Sequence, residues 1–292
     1  MDISGTITAL ITPFRNGNVD IEGLKHNIFY QLEEGVDALL VLGSTGEMLS
    51  QNVEERETVI VSAIEEVQGR VPVLVNTGAA STSEAVLQTK RAKELGASAA
   101  LISSPYYVRP TEEGLYRHFC TVADEAELPI IIYNIPKRTG VELSIEVLSD
   151  LANHPNIVGI KDSTGDLAFV SSLLFETVDK DWSVIAGDDM LILPIMALGG
   201  KGVISVAANV IPSKIRKLTT AVLDGQIAIA RQLHTELMPF FKALLVEPNP
   251  IPVKSAMQLV GMASGDVRLP LMPLQVEHQD ALKQALQQLV KA

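Results

Sequence analysis

Lys161 ends a short apolar run, Ile157-Val158-Gly159-Ile160, and is followed at once by Asp162-Ser163-Thr164-Gly165. A run that short and that β-branched reads as a buried strand, and the polar stretch after it as a loop. A lysine at the carboxyl end of a buried parallel strand stands where α/β barrels place their chemistry. Partial desolvation there favours the neutral amine, the nucleophile that forms Schiff bases with carbonyl substrates. Position alone favours a plainer alternative, a salt-bridged lysine at a strand end, and the neighbouring motifs shift that weighting.

Three further segments lie at matching places. Gly43-Ser44-Thr45-Gly46-Glu47 follows the run Ala38–Leu42. A Gly-flanked Ser-Thr turn offers backbone N–H groups and hydroxyls to an anion such as a carboxylate. It lacks the lysine of a nucleotide-binding loop. Ser103-Ser104-Pro105-Tyr106-Tyr107 follows Ala99–Ile102, and Tyr133-Asn134-Ile135-Pro136-Lys137-Arg138-Thr139-Gly140 closes Ile130–Tyr133. A tyrosine hydroxyl beside a Schiff-base lysine can shuttle protons, and the Arg138 fork suits a carboxylate. Each has an ordinary alternative: a tight turn, a half-buried strand end, a loop salt bridge.

These positions converge only if the strands close on one another. Eight short apolar runs occur: Thr6–Ile11, Ala38–Leu42, Val71–Val75, Ala99–Ile102, Ile130–Tyr133, Ile157–Ile160, Ser183–Ala186 and Gly202–Ser205. They recur roughly every 20–35 residues, the length of a βα unit. Helical patterns fill the gaps. Asn52–Val67 carries Val53, Val59, Ile60, Ala63, Ile64 and Val67 on one side, and Ser81–Leu95 opens with a candidate capping box and stops at Gly96. Strict alternation predicts an α/β fold with a parallel sheet, and eight units predict a closed (β/α)8 TIM barrel. An open doubly wound sheet is the alternative, but no Gly-x-Gly-x-x-Gly follows the first strand. From 225 to 292 the pattern is purely helical, which predicts a barrel over 1–224 with a small all-helical C-terminal appendage.

Composition bounds the function. The 292 residues are 47% hydrophobic with a net charge of −12, which argues against nucleic acid as a partner. A single cysteine, Cys120, excludes an intramolecular disulfide framework and suits a reducing cytoplasm. Beside Phe119 in a helical pattern, it reads as a small core residue. No signal peptide is visible in Met1–Thr12 and no run approaches a membrane span. The mean hydropathy of +0.25 hints at apolar surface buried between subunits. The five histidines are scattered, so no metal site is expected. Asp188-Asp189 reads as helix capping, and Gly199-Gly200-Lys201-Gly202 as a helix-to-strand turn.

Taken together, Gly43–Glu47, Tyr133–Pro136 with Arg138-Thr139-Gly140, and Gly159-Ile160-Lys161-Asp162 resemble the signatures of the pyruvate-dependent class I aldolases of the dihydrodipicolinate synthase / N-acetylneuraminate lyase type. The resemblance runs from about Gly5 to about Pro273. Arg138-Thr139-Gly140, Pro105-Tyr106-Tyr107 and Val246–Lys254 are similar to the synthase branch. The resemblance implies that Lys161 forms an imine with pyruvate, whose enamine adds to aspartate 4-semialdehyde. The product, 4-hydroxy-tetrahydrodipicolinate, feeds diaminopimelate and lysine synthesis. It further implies that Tyr133 passes protons, helped by Ser44 and by Tyr107 from a neighbouring subunit. Backbone around Ser44 and Thr45 holds the pyruvate carboxylate, Gly187 and Ile204 line the pyruvate pocket, and Arg138 holds the semialdehyde carboxylate. No metal or nucleotide cofactor is implied, and the family is usually a homotetramer built from tight dimers.

Two departures stand out. The synthase pattern most often has threonine where this chain has Ser44, which keeps the hydroxyl but loses the β-branch. The matching positions of the dimer-interface effector pocket are Met48, Leu49, Val53, Arg56 and Ala80, with Glu84 and Tyr106 retained. Ala80 and Val53 offer no side-chain hydrogen bonds and Arg56 repels a cation, so weak or absent inhibition by lysine is expected. The competing expectations are a pyruvate aldolase for sugar acids such as N-acetylneuraminate or 2-keto-3-deoxygluconate, and a non-catalytic barrel that binds a keto acid.

Overall fold

The computed structural model describes residues 3–291, so residues 1, 2 and 292 of the expected units, including the first two of Met1–Thr12, lie outside it. Eight strands alternate with helices in chain order. They are β1 (Gly5–Ala9), β4 (Ala38–Val41), β5 (Val73–Asn76), β6 (Ala99–Ser103), β7 (Ile130–Asn134), β8 (Ile157–Asp162), β9 (Ser183–Ala186) and β10 (Gly202–Ser205). All pair in parallel, and β1 bonds to both β4 and β10, closing the barrel. A small antiparallel hairpin, β2 (Phe14–Arg15) with β3 (Asn18–Val19), follows the first strand; no apolar run marked it in advance.

The strand ends differ from the sequence reading in two informative places. The third strand starts at Val73, because Pro72 has no N–H for the ladder and offers only its carbonyl, to Leu39 N at 3.0 Å. Lys161 and Asp162 belong to β8 rather than to the loop after it. Lys161 pairs in register with Tyr133 on one side and Ile185 on the other, and Asp162 pairs with Asn134 and Ala186.

Period-two alternation sorts the strand residues between two cores. Ile7, Leu40, Leu74, Leu101, Ile131, Ile185 and Ile204 fill the barrel interior, together with Tyr133. Leu39, Val41, Ile102, Ile132, Ile160 and Val184 face outward into the helix layer. Each such buried Ile or Leu contributes about 1.5–3 kcal/mol. The alternation also sends Tyr133 and Lys161 to the interior and Asn134 and Asp162 to the exterior.

The helices are α1 (Ile21–Glu33), α2 (Val53–Val67), α3 (Thr82–Glu94), α4 (Glu112–Ala126), α5 (Pro136–Thr139), α6 (Ile145–Leu151), α7 (Leu167–Glu176), α8 (Ile192–Ala197) and α9 (Pro212–Leu223). Asn52 and Glu55 close a full capping box on α2. On α3 only half the box forms: Ser81 Oγ accepts Glu84 N, while the Glu84 carboxylate accepts Gln88 Nε2. Cys120 lies in α4, half-buried against the core. Three more helices follow: α10 (Ile227–Ala243), packed on α9; α11 (Ile251–Leu259); and α12 (Val276–Lys291), packed on α10 and α11. Among the described residues no helix is long and apolar enough to cross a membrane.

Candidate active site

A cavity of about 460 Å³ opens at the carboxyl ends of the strands. Ser44 reaches it from the turn after β4, Tyr106 from the loop after β6, Tyr133 from β7 and Arg138 from α5. Tyr133 is 7% exposed and Lys161 5%. The Lys161 Nζ lies over the Tyr133 ring, 4.2 Å from its centroid. Lys161 therefore meets the cavity through Tyr133, at the level where the barrel interior ends.

The Gly43–Glu47 turn is held in an unusual shape. Leu42 (φ 59°) and Glu47 (φ 52°) flank it with left-handed backbones, a conformation that persists only where surroundings enforce it. Gly46 has no room for a side chain, since a Cβ there would stand 3.1 Å from Leu42 N. The Gly46 carbonyl accepts Thr12 Oγ1 at 2.8 Å and Gln51 Nε2 at 2.6 Å. Thr45 is buried, and its Oγ1 accepts Asn249 Nδ2 at 2.9 Å. Glu47 is anchored by Lys254 Nζ at 2.5 Å and by the Arg268 N–H at 3.0 Å.

Gly187 packs against the lysine. A Cβ there would stand 3.1 Å from Lys161 Cε and 2.7 Å from the Asp162 carbonyl, and would overlap Ser163 Oγ. Ile204 is fully buried in the barrel interior. Asp162 points the other way, where burial pushes its carboxyl up to about 6 against hydrogen bonds from Thr164 and Asn134. Asp189 is likewise pushed up to about 6 by burial, while accepting Ser205 Oγ, Val206 N and Ala207 N. It thereby braces the backbone after β10, whereas its neighbour Asp188 caps the turn by accepting Met190 N.

Arg138 gives one Nη2 hydrogen to the Asn249 carbonyl at 3.2 Å. The rest of its fork has no partner among the described residues, which leaves it for a ligand. Arg268 also lines the cavity, but its guanidinium is spent. It binds both Glu55 oxygens, the Ser50 and Gly17 carbonyls, and stacks on Phe14. Accordingly the Arg268 hydrogen bonds hold the Glu55 carboxyl below its ordinary value.

Not every expected residue converges here. Tyr107 is 92% exposed, with φ +74°, and does not line the cavity of its own chain. Of the expected effector positions, Met48, Leu49 and Tyr106 line the cavity. Arg56 lies on α2 with its Nε on the Asn52 carbonyl, Glu84 opens α3, and Ala80 sits just before it. Asn249, Lys254 and Arg268 were not singled out from the sequence as site residues. The Val246–Lys254 stretch carried a family likeness, but only the folded chain brings Asn249 to Thr45. Nothing local marks Arg268.

This geometry agrees with what the chain is similar to. The model of the dihydrodipicolinate synthetase family matches residues 2–289. A protein of Methanoculleus marisnigri named 4-hydroxy-tetrahydrodipicolinate synthase is 48% identical over 285 residues, covering 97% of this chain and 98% of its own. The crystal structure of dihydrodipicolinate synthase from Aquifex aeolicus superposes with a TM-score of 0.96 at 46% identity, covering 99% and 98% of the two chains. The chloride-inhibited dihydrodipicolinate synthase from Acinetobacter baumannii, complexed with pyruvate, also gives 0.96, at 39% identity over 98% and 99%. The chain belongs to the dihydrodipicolinate synthetase family.

Proposed function

We propose that this protein condenses pyruvate with L-aspartate 4-semialdehyde to give 4-hydroxy-tetrahydrodipicolinate, as a Schiff-base lyase of diaminopimelate and lysine biosynthesis. The observation that carries this reading is the packing of Lys161 Nζ on Tyr133, at the floor of a cavity that Arg138 also lines. Lys161 Nζ attacks C2 of pyruvate and water leaves, giving the imine. Loss of a C3 proton gives the enamine, and C3 then bonds to the aldehyde carbon. The aldehyde oxygen takes a proton through Tyr133, supported by Ser44 and by Tyr107 of a second subunit. The amine of the adduct closes on C2 and displaces Lys161. Thr45 and its turn hold the first carboxylate, Gly187 and Ile204 shape the pocket around it, and Arg138 takes the second. The covalent imine suffices, so neither metal nor nucleotide is called on.

The test is turnover of both substrates by the purified chain, coupled to the NADPH-dependent reductase that consumes the product. Signal that vanishes in Lys161→Ala supports the reading. Borohydride trapping of pyruvate without turnover moves the second substrate to a sugar-acid aldehyde. Neither trapping nor turnover removes the enzyme assignment and leaves a keto-acid-binding barrel.

Four finer points belong to the same reading. We propose a homotetramer, a dimer of dimers, because large apolar side chains, Leu49, Val53, Tyr107, Val108, Phe175 and Val178, stand exposed on the single chain; sedimentation that gives only monomer would refute it. The division into a barrel over 1–224 and a helical domain over 225–292, and a cytoplasmic location, are proposed with it. Lysine inhibition is weak or absent, since Arg56, Ala80 and Val53 supply no acceptor for a second ammonium. An inhibition constant well below millimolar would overturn that.

A further inference from the structure

Asn249 touches both carboxylate-holding elements. Its side-chain Nδ2 donates to Thr45 Oγ1 at 2.9 Å, and its backbone carbonyl accepts Arg138 Nη2 at 3.2 Å. Thr45 follows β4, Arg138 lies in α5 beyond β7, and Asn249 comes from the segment between α10 and α11. The contacts span 204 and 111 positions of sequence, so chain connectivity does not produce them. The Asn249 Oδ1 is buried and takes no hydrogen bond from the described residues. Leaving a buried acceptor unpaired is costly, so the side chain is held there for its other end. Either amide orientation keeps the pairing, because a threonine hydroxyl both donates and accepts.

Resting on the function proposed above, we propose that Asn249 is a positioning residue that sets the spacing between the pyruvate subsite at Thr45 and the second-carboxylate subsite at Arg138. The adduct carries one carboxylate at each end, so its length dictates how far apart the two holders must stand. Two holders kept at that spacing bind both ends of the substrate pair at once, so loosening the spacing weakens binding at each. Asn249 fixes the distance by gripping one holder with its side chain and the other with its backbone.

The test compares full-length wild type, Asn249→Ala, Thr45→Val and the double variant by steady-state kinetics, with active sites counted by borohydride trapping of pyruvate. Asn249→Ala is expected to raise KM for the semialdehyde about tenfold and KM for pyruvate about fivefold, with kcat per trapped site within about threefold. A merely structural tether would lower thermal stability and the trapped fraction while leaving both KM values unchanged, and that result overturns the proposal. Thr45→Val removes the same hydrogen bond from the other side, so it must also raise KM for the semialdehyde, which Thr45 does not touch. An effect confined to pyruvate overturns the proposal even if Asn249→Ala does not fold. In the double variant the fold-changes must fall short of the product of the singles, and independent multiplication counts against the shared bond. Wild type without turnover would instead refute the proposed function, which separates the two failures.

Discussion

Glu47 and Lys254 form an ion pair 2.5 Å apart in which both side chains are only 2% exposed. The pair ties helix α11 to the strained turn that carries Ser44 and Thr45. Burial lowers the Lys254 pKa, and the Glu47 carboxylate offsets part of that. Lys254 Nζ also donates to the Asp266 carbonyl at 2.9 Å and lies over the Phe14 ring. Taking two charges out of water costs several kcal/mol each, so such a pair adds little net stability. Breaking it is another matter. Lys254→Met leaves a buried, unpaired carboxylate and is expected to cost about 3–5 kcal/mol. Glu47→Gln combined with Lys254→Met removes both charges and should recover most of that loss. Urea unfolding of the two proteins checks it. Equal losses would mean that the pair is not coupled as its geometry indicates.

Tyr133 and Lys161 are register partners on adjacent strands, both facing the interior. If the Tyr133 hydroxyl carries protons during imine formation, Tyr133→Phe keeps the ring under Lys161 Nζ and removes only the relay. The expected outcome is a fall in kcat of about 10²–10⁴-fold. Borohydride should still trap pyruvate on Lys161, though more slowly. Turnover within about threefold of wild type would remove Tyr133 from the chemistry.

Gly187 has no space for a methyl group, since a Cβ would press on Lys161 Cε, Ser163 Oγ and the Asp162 carbonyl at once. The clashes with Ser163 Oγ and the Asp162 carbonyl are the tightest, so the end of β8 that carries Lys161 must shift. Gly187→Ala is expected to slow imine trapping by about 10²-fold through displacement of Nζ. The circular dichroism spectrum should stay that of a folded barrel. Trapping at the wild-type rate would show that the loop after β9 relaxes instead.

The barrel was legible because it is written in local pattern. Ser183–Ala186 and Gly202–Ser205 coincide with their expected strands, and every other expected run overlaps one. Lys161 and Tyr133 were legible because each ends an apolar run. What sequence could not place was set by contacts over long separations. Lys161 joined the strand because Tyr133 and Ile185 pair with it, not because of its own neighbours. Asn249, Lys254 and Arg268 belong to a helical region that looked peripheral, yet Asn249 and Arg268 line the cavity and Lys254 holds its turn. Their partners, Thr45, Glu47 and Glu55, lie some 200 positions earlier, beyond the reach of any periodicity. Tyr107 shows the converse limit, since its motif was evident while a single chain leaves it in solvent.

Asp162 gives the fold a pH dependence whose sign can be worked out. Its carboxyl is pushed up to about 6, chiefly by burial beside β7, with Thr164 and Asn134 pulling it down and Glu142 adding a little. In the unfolded chain an aspartate titrates near about 4. Between these values the folded protein keeps a proton that the unfolded chain has lost. The contribution is therefore fully present below about pH 4 and disappears as pH rises through about 6, to the extent of about 2–3 kcal/mol. Asp162→Asn removes this titration while leaving Asp189, which shares the shift, in place. The unfolding free energy of wild type minus that of Asp162→Asn should fall steadily from pH 4 to pH 6.5 and then level off, read by urea titration at each pH. A difference that stays flat across that window would show that Asp162 ionises in the folded barrel as easily as it does in water.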